Sequence, residues 1–90
     1  MLEGPLVFLD VDTQRDFMDP EGALFIKEAN EIQSKLARLT RFAIGHEIPI
    51  LATACSHRPD DPELRHFRPH CMAGTPGQGR VPATDRKSVV

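Results

Sequence analysis

A chain of 90 residues is one domain long, and a domain of that size buries only roughly 60–65% of its unfolded surface, so its core is modest. A hydrophobic fraction of 40% beside 27% charged residues excludes a disordered polypeptide, and a net charge of −2 without a basic stripe argues against a nucleic-acid surface. Two cysteines, Cys55 and Cys71, are too few for a disulfide framework.

The opening MLEGPLVFLD has no basic region, and Asp10 interrupts its short apolar run. A cytoplasmic protein with no membrane partner is therefore expected. Residues 5–11 form a segment that is apolar but for Asp10, with β-branched and aromatic members, which predicts a central parallel strand covered on both faces. Residues 12–30 hold Asp19, Pro20 and Gly22 and read as a loop crossing the carboxyl end of that strand. A helix is predicted over about 31–45: Asn30 can cap it, Ile32, Leu36, Leu39, Phe42 and Ala43 recur at helical spacing, and Gly45 supplies a stop. A second strand is predicted over 48–54 (EIPILATA contains it), completing a βαβ unit with a parallel sheet.

From 55 to 87 five prolines and several glycines break every periodicity, leaving a long loop in which residues 61–67 have room for one helical turn. The run GTPGQG, 74–79, follows no strand and opens no helix, so it reads as a glycine turn rather than a phosphate cradle. Ser88, Val89 and Val90 look like the start of a third strand. So narrow a parallel sheet has open edges, which implies either the first half of a larger α/β domain or a chain that pairs with another copy.

In open parallel sheets ligands bind beyond the carboxyl ends of the strands. Asp12 lies at that end of the first predicted strand; Cys55, Ser56 and His57 lie at that end of the second. Each has a bland reading, as a turn cap or a surface histidine, but their meeting at one rim points to a site. The stretch HFRPHC adds His66, His70 and Cys71, so two thiols and three imidazoles stand within a short span, a stock that suits a divalent ion such as zinc or iron. The alternative is a pair of histidines in water. Arg58, Asp60, Asp61, Glu63 and Arg65 read as a solvated face.

These residues resemble a family. DTQRDF at 12–17 looks like the D-x-Q-x-D-F signature of the isochorismatase-like cysteine hydrolases, which include the nicotinamidases; LATACSH at 51–57 stands where they have a strand followed by D-x-H; and RPHCMAGTPG at 68–77 is similar to their P-H-C-x-x-G-T-P-G stretch. The resemblance implies a doubly wound, three-layer α/β fold of which residues 1–90 form the amino-terminal part. It implies hydrolysis of a carbon–nitrogen bond by an Asp, a Lys and a Cys, with a thioester intermediate. Asp12 matches the catalytic Asp, Phe17 the aromatic lining the substrate pocket, and His57 and His70 two ligands of the divalent metal found in the nicotinamidase branch. Cys55 replaces the Asp of D-x-H, offering sulfur where the family has oxygen, and His66 has no counterpart in the motifs. The family's Lys and nucleophilic Cys have no match: Lys87 precedes the third strand, and Cys71 belongs to the P-H-C stretch.

Three functions follow as expectations. The first is a nicotinamidase-like hydrolase of a small amide substrate, represented by a truncated amino-terminal part that is inactive alone. The second is a non-catalytic half-domain that forms a homo-oligomer or binds a partner through its open sheet edge. The third is a small metal-binding module built from Cys55, His57, His66 and His70.

Overall fold

In the computed structural model, which describes residues 4–85, the first strand forms only from Phe8. Pro5 has no N–H to give to a ladder, and Gly4 holds a left-handed φ of 79°. Strand β1 (Phe8–Val11) pairs in parallel with β2 (Ile50–Thr53), in the register Phe8 to Ile50 and Val11 to Thr53. The architecture is α/β, a parallel βαβ unit as the apolar pattern predicts. The predicted third strand at Ser88–Val90 and Lys87 lie outside the described residues.

The connection after β1 is more ordered than a loop. One helical turn, α1 (Arg15–Met18), follows β1, and a 3₁₀ segment, Lys27–Ile32, leads into the main helix α2 (Gln33–Gly45). Asn30 therefore lies within the lead-in and does not cap α2; its Oδ1 accepts from Gln33 Nε2 at 3.2 Å. At the far end Gly45 is the last helical residue, and the left-handed position is Glu47 (φ 56°), after which Ile48 N–H returns to the Ala43 carbonyl at 2.8 Å.

The predicted apolar faces exist, but they are not covered. Of the α2 positions read as core, Ala43 is buried, Leu36 is half-buried, and Leu39 and Phe42 are about half exposed at 52% and 49%. Phe42 stacks on Phe8, with ring centroids 6.3 Å apart, and this fixes the helix to one side of the sheet. Val7 just before β1, and Leu9, Val11 and Leu51 on the strands, are each more than half exposed, so β1 is not covered on both faces. The reason is geometric: among the described residues, two strands and one long helix supply no second layer to close the other face.

Burial is concentrated at the carboxyl rim of the sheet. Gln14, Met18, His57, His70, Cys71, Val81 and Thr84 are buried there, while Thr40 and Ala43 are the buried residues of α2. Two isolated bridges tie the rim loops together, Gln14 with Arg80 and His57 with Met72. Asp10 is paired within the apolar strand: Arg80 Nη1 donates to its Oδ2 at 2.5 Å. On the uncovered face, Leu9→Thr is expected to change the urea midpoint by no more than about 0.5 kcal/mol equivalent, whereas overpacking the buried Ala43 with Ala43→Leu should cost roughly 1–3 kcal/mol.

Candidate functional site

The parallel register brings both strand ends to one rim, and Asp12 turns sharply there. Its φ is 54°, a left-handed conformation that costs an ordinary residue roughly 1–2 kcal/mol but which Asp tolerates through local hydrogen bonds. Those bonds come from β2. Asp12 N–H donates to Thr53 Oγ1 at 3.1 Å, the same hydroxyl donates to Asp12 Oδ1 at 2.7 Å, and the Cys55 thiol donates to Asp12 Oδ2 at 3.5 Å. Both carboxylate oxygens thus accept from residues of the second strand end.

Two side chains of the first motif hold the rim loops in place. The buried Gln14 amide donates to the carbonyls of Cys55 and Gln78, each at 2.8 Å, and accepts from Cys55 N–H at 2.8 Å. Asp16 accepts from the N–H groups of Ala23 at 3.0 Å and Cys71 at 2.7 Å. Gly77 passes so close to the Asp16 carboxylate that a Cβ would collide with it, which is why the GTPGQG turn needs a glycine there. The turn is a short 3₁₀ segment, Pro76–Gln78, with Gly74 left-handed.

The segment after β2 runs beside the P-H-C stretch: His57 N–H donates to the Cys71 carbonyl at 3.0 Å, and Ala73 N–H to the His57 carbonyl at 2.8 Å. This pairing sets the His57 and His70 rings 4.7 Å apart. Each ring has its Nδ1 against a pure acceptor, Asp61 Oδ2 at 2.7 Å for His57 and the Arg68 carbonyl at 2.6 Å for His70. Nδ1 must therefore carry the proton, and Nε2 is the nitrogen left to bind something else. His57 Nε2 is buried without a hydrogen bond, although Glu63 Oε2 lies 3.1 Å away. One ligand atom each from His57, Glu63 and His70 fall within 4.8 Å of one another. A buried imidazole nitrogen facing the carboxylate oxygen of an exposed glutamate is an arrangement that a divalent cation satisfies.

The sequence-predicted residues divide accordingly. Asp12, Cys55, His57, His70 and Phe17 gather at the rim; the Phe17 ring packs 5.5 Å from His70 and, with Asp12, lines an open cavity of about 590 Å³. Cys55 faces Asp12 and stands outside the ligand group, and His66 is an exposed residue closing the 3₁₀ turn Pro62–Arg65. Two residues assigned to a solvated face, Asp61 and Glu63, keep solvent exposure and also approach the His57 ring. Asp61 caps that turn through Glu63 N–H at 2.9 Å and holds His57, and Glu63 stands with His57 and His70 in the candidate ligand group. The D-P-E sequence just after SH carried that signal, since Pro62 favours a turn start that folds the acids back.

The His57 hydrogen bond, followed by the Glu63 N–H, lowers the Asp61 carboxyl below its usual range. Burial, then the Asp12 hydrogen bond and the Asp12 and Glu63 charges, pushes the Cys55 thiol up. Burial, followed by the Asp16 charge, pushes the Cys71 thiol up to about 12, so Cys71 is a protonated and inert thiol at neutral pH.

The fold recurs in solved structures. A pyrazinamidase of Pyrococcus horikoshii, crystallised in complex with zinc, is 33% identical, covers 83% of this chain and superimposes with a TM-score of 0.77. The chain belongs to the isochorismatase-like hydrolase family. A Bacillus subtilis nicotinamidase is 30% identical over 91% of the chain with a TM-score of 0.77, and an isochorismatase-like hydrolase from Alkaliphilus metalliredigens, 22% identical over 89%, shares the fold with a TM-score of 0.80. The chain spans 44–46% of the length of these three structures, and the open apolar sheet is part of the isochorismatase-like doubly wound, three-layer fold. No family model matches the sequence, and no curated protein does.

Gln14→Ala leaves Cys55 N–H and the Gln78 carbonyl without their partners and should cost about 2–3 kcal/mol in urea unfolding. Stability should also fall as pH climbs from about 9 to about 12. Over that window the unfolded chain releases the Cys71 proton while the folded chain keeps it, and pH-resolved melting curves read the slope.

Proposed function

We propose that this chain carries the acid–base and metal-binding part of a nicotinamidase-like hydrolase that cleaves a small carboxamide through a thioester. The convergence of Asp12 with the His57–His70–Glu63 group on one rim is the observation that supports this reading most directly. Asp12 takes the proton of an attacking thiol and returns it to the departing amine, leaving an acyl thioester that water then hydrolyses to the acid and free thiol. Thr53 holds the carboxylate in place for both transfers. Phe17 offers a flat apolar wall to a ring such as that of nicotinamide or pyrazinamide.

The donor set fits a divalent ion: His57 and His70 present Nε2 with Nδ1 fixed by Asp61 and Arg68, and Glu63 supplies an oxygen. Such an ion, zinc or iron, supplies a fixed positive charge and Lewis acidity beside Asp12 when bound. The thiol nucleophile and the lysine of the family's triad have no match in the motifs of this sequence, so the chain alone is inactive.

A chimera in which this chain replaces the matched part of the Pyrococcus pyrazinamidase tests the assignment. It should release ammonia from an aromatic carboxamide, and Asp12→Asn should lower the rate by roughly 10²-fold or more, within the range of a lost general acid–base group. An Asp12→Asn chimera as active as its parent would refute the role of Asp12. For the metal, zinc at about a hundredfold excess over its Kd should stabilise the 90-residue chain by about 2.7 kcal/mol, and a chelator should reverse the gain.

The exposure of Val7, Leu9, Val11 and Leu51 favours a second reading, self-association through the uncovered sheet face. Sedimentation should then show dimers or larger species that grow with concentration; a compact monomer at high concentration excludes it.

A further inference from the structure

The residue that departs from the family's D-x-H motif, Cys55, is two positions from His57 and carries a thiol that divalent zinc or cobalt binds strongly when it can reach. Its place in the fold is set from both sides. Gln14 holds the Cys55 N–H and carbonyl, each at 2.8 Å, which leaves rotation of the side chain as the only easy motion. That rotation is taken up by Asp12: the thiol donates to Oδ2 at 3.5 Å, while Thr53 keeps the carboxylate fixed through Oδ1 at 2.7 Å. Meanwhile the ligand group forms without sulfur, from two imidazole nitrogens and Glu63. The buried His57 Nε2, without a hydrogen bond and 3.1 Å from Glu63 Oε2, shows which way that group faces.

We infer that Asp12 holds the Cys55 thiol off the metal position, so that a divalent ion is bound by His57, His70 and Glu63 with no thiolate ligand. The inference rests on the metal reading above and deepens it. A fourth, thiolate ligand would close a tetrahedral site of the structural kind, whereas three protein ligands leave a coordination position open to a substrate or water. The cysteine therefore acts on Asp12 as a hydrogen-bond donor, and Glu63 makes up the third ligand that the replaced aspartate does not supply.

Cobalt(II) titration of the full 90-residue chain reads the ligand set directly, because a cobalt–thiolate bond adds an intense near-ultraviolet charge-transfer band to the weak visible bands. The expected result is visible bands without the near-ultraviolet one. Cys55→Ser should leave cobalt affinity almost unchanged, and Glu63→Gln should weaken it roughly ten- to a hundredfold. In Asp12→Ala the thiol loses its acceptor, and the charge-transfer band should appear and vanish again in the Asp12→Ala, Cys55→Ser double variant. A charge-transfer band in the unsubstituted chain that Cys55→Ser removes, or protection of Cys55 from alkylation by zinc, overturns the inference while leaving the metal reading intact. A band absent from Asp12→Ala overturns the part assigned to Asp12. Failure to bind cobalt at all overturns both.

Discussion

The rim of this molecule depends on one buried carboxamide. Gln14 uses both of its donors and its acceptor on main-chain groups of Cys55 and Gln78, and so binds the end of β1 to the end of β2 and to the glycine turn. Backbone polar groups in irregular segments must find partners if they are to leave water, and a loop of more than thirty residues without regular ladders has few ways to supply them. One amide satisfies three of them at the point where the site assembles. Asp16 does the same for Ala23 and Cys71, which sets the P-H-C stretch against the first motif.

Order at the rim contrasts with exposure elsewhere. The strands and α2 are amphipathic elements with apolar faces still open to solvent, while the buried residues are mostly polar or sulfur-bearing groups in loops. This distribution accords with the length of the chain relative to the solved structures it matches, of which it spans less than half. The apolar sheet face is shaped for a layer, and the rim is shaped by its own hydrogen bonds.

The pairing of Asp12 with a thiol has a chemical consequence. A carboxylate that accepts from Thr53 and Cys55 is held in one orientation, as the acid–base role proposed for Asp12 requires. The two histidines are oriented by the same device, an Nδ1 proton given to an outer acceptor, which fixes the tautomer before any ion arrives. Asp61 and Arg68 are as much a part of the candidate centre as the rings themselves.

Read from the sequence alone, the period of the apolar residues determined the βαβ order, and the parallel register followed because a helical crossover returns the chain in the same direction. That was enough to bring Asp12 and His57 to one edge, since strand ends are a property of chain direction. It was not enough to find Glu63 or Asp61, whose charges look solvated until a turn at Pro62 folds them onto His57. Nor could it separate Cys55 from the ligand group or assign Gln14 its clamp, because both depend on contacts between residues some forty positions apart. Periodicity is a local property carried by each segment; the direction in which a rim side chain points is decided by partners that only the folded chain brings near.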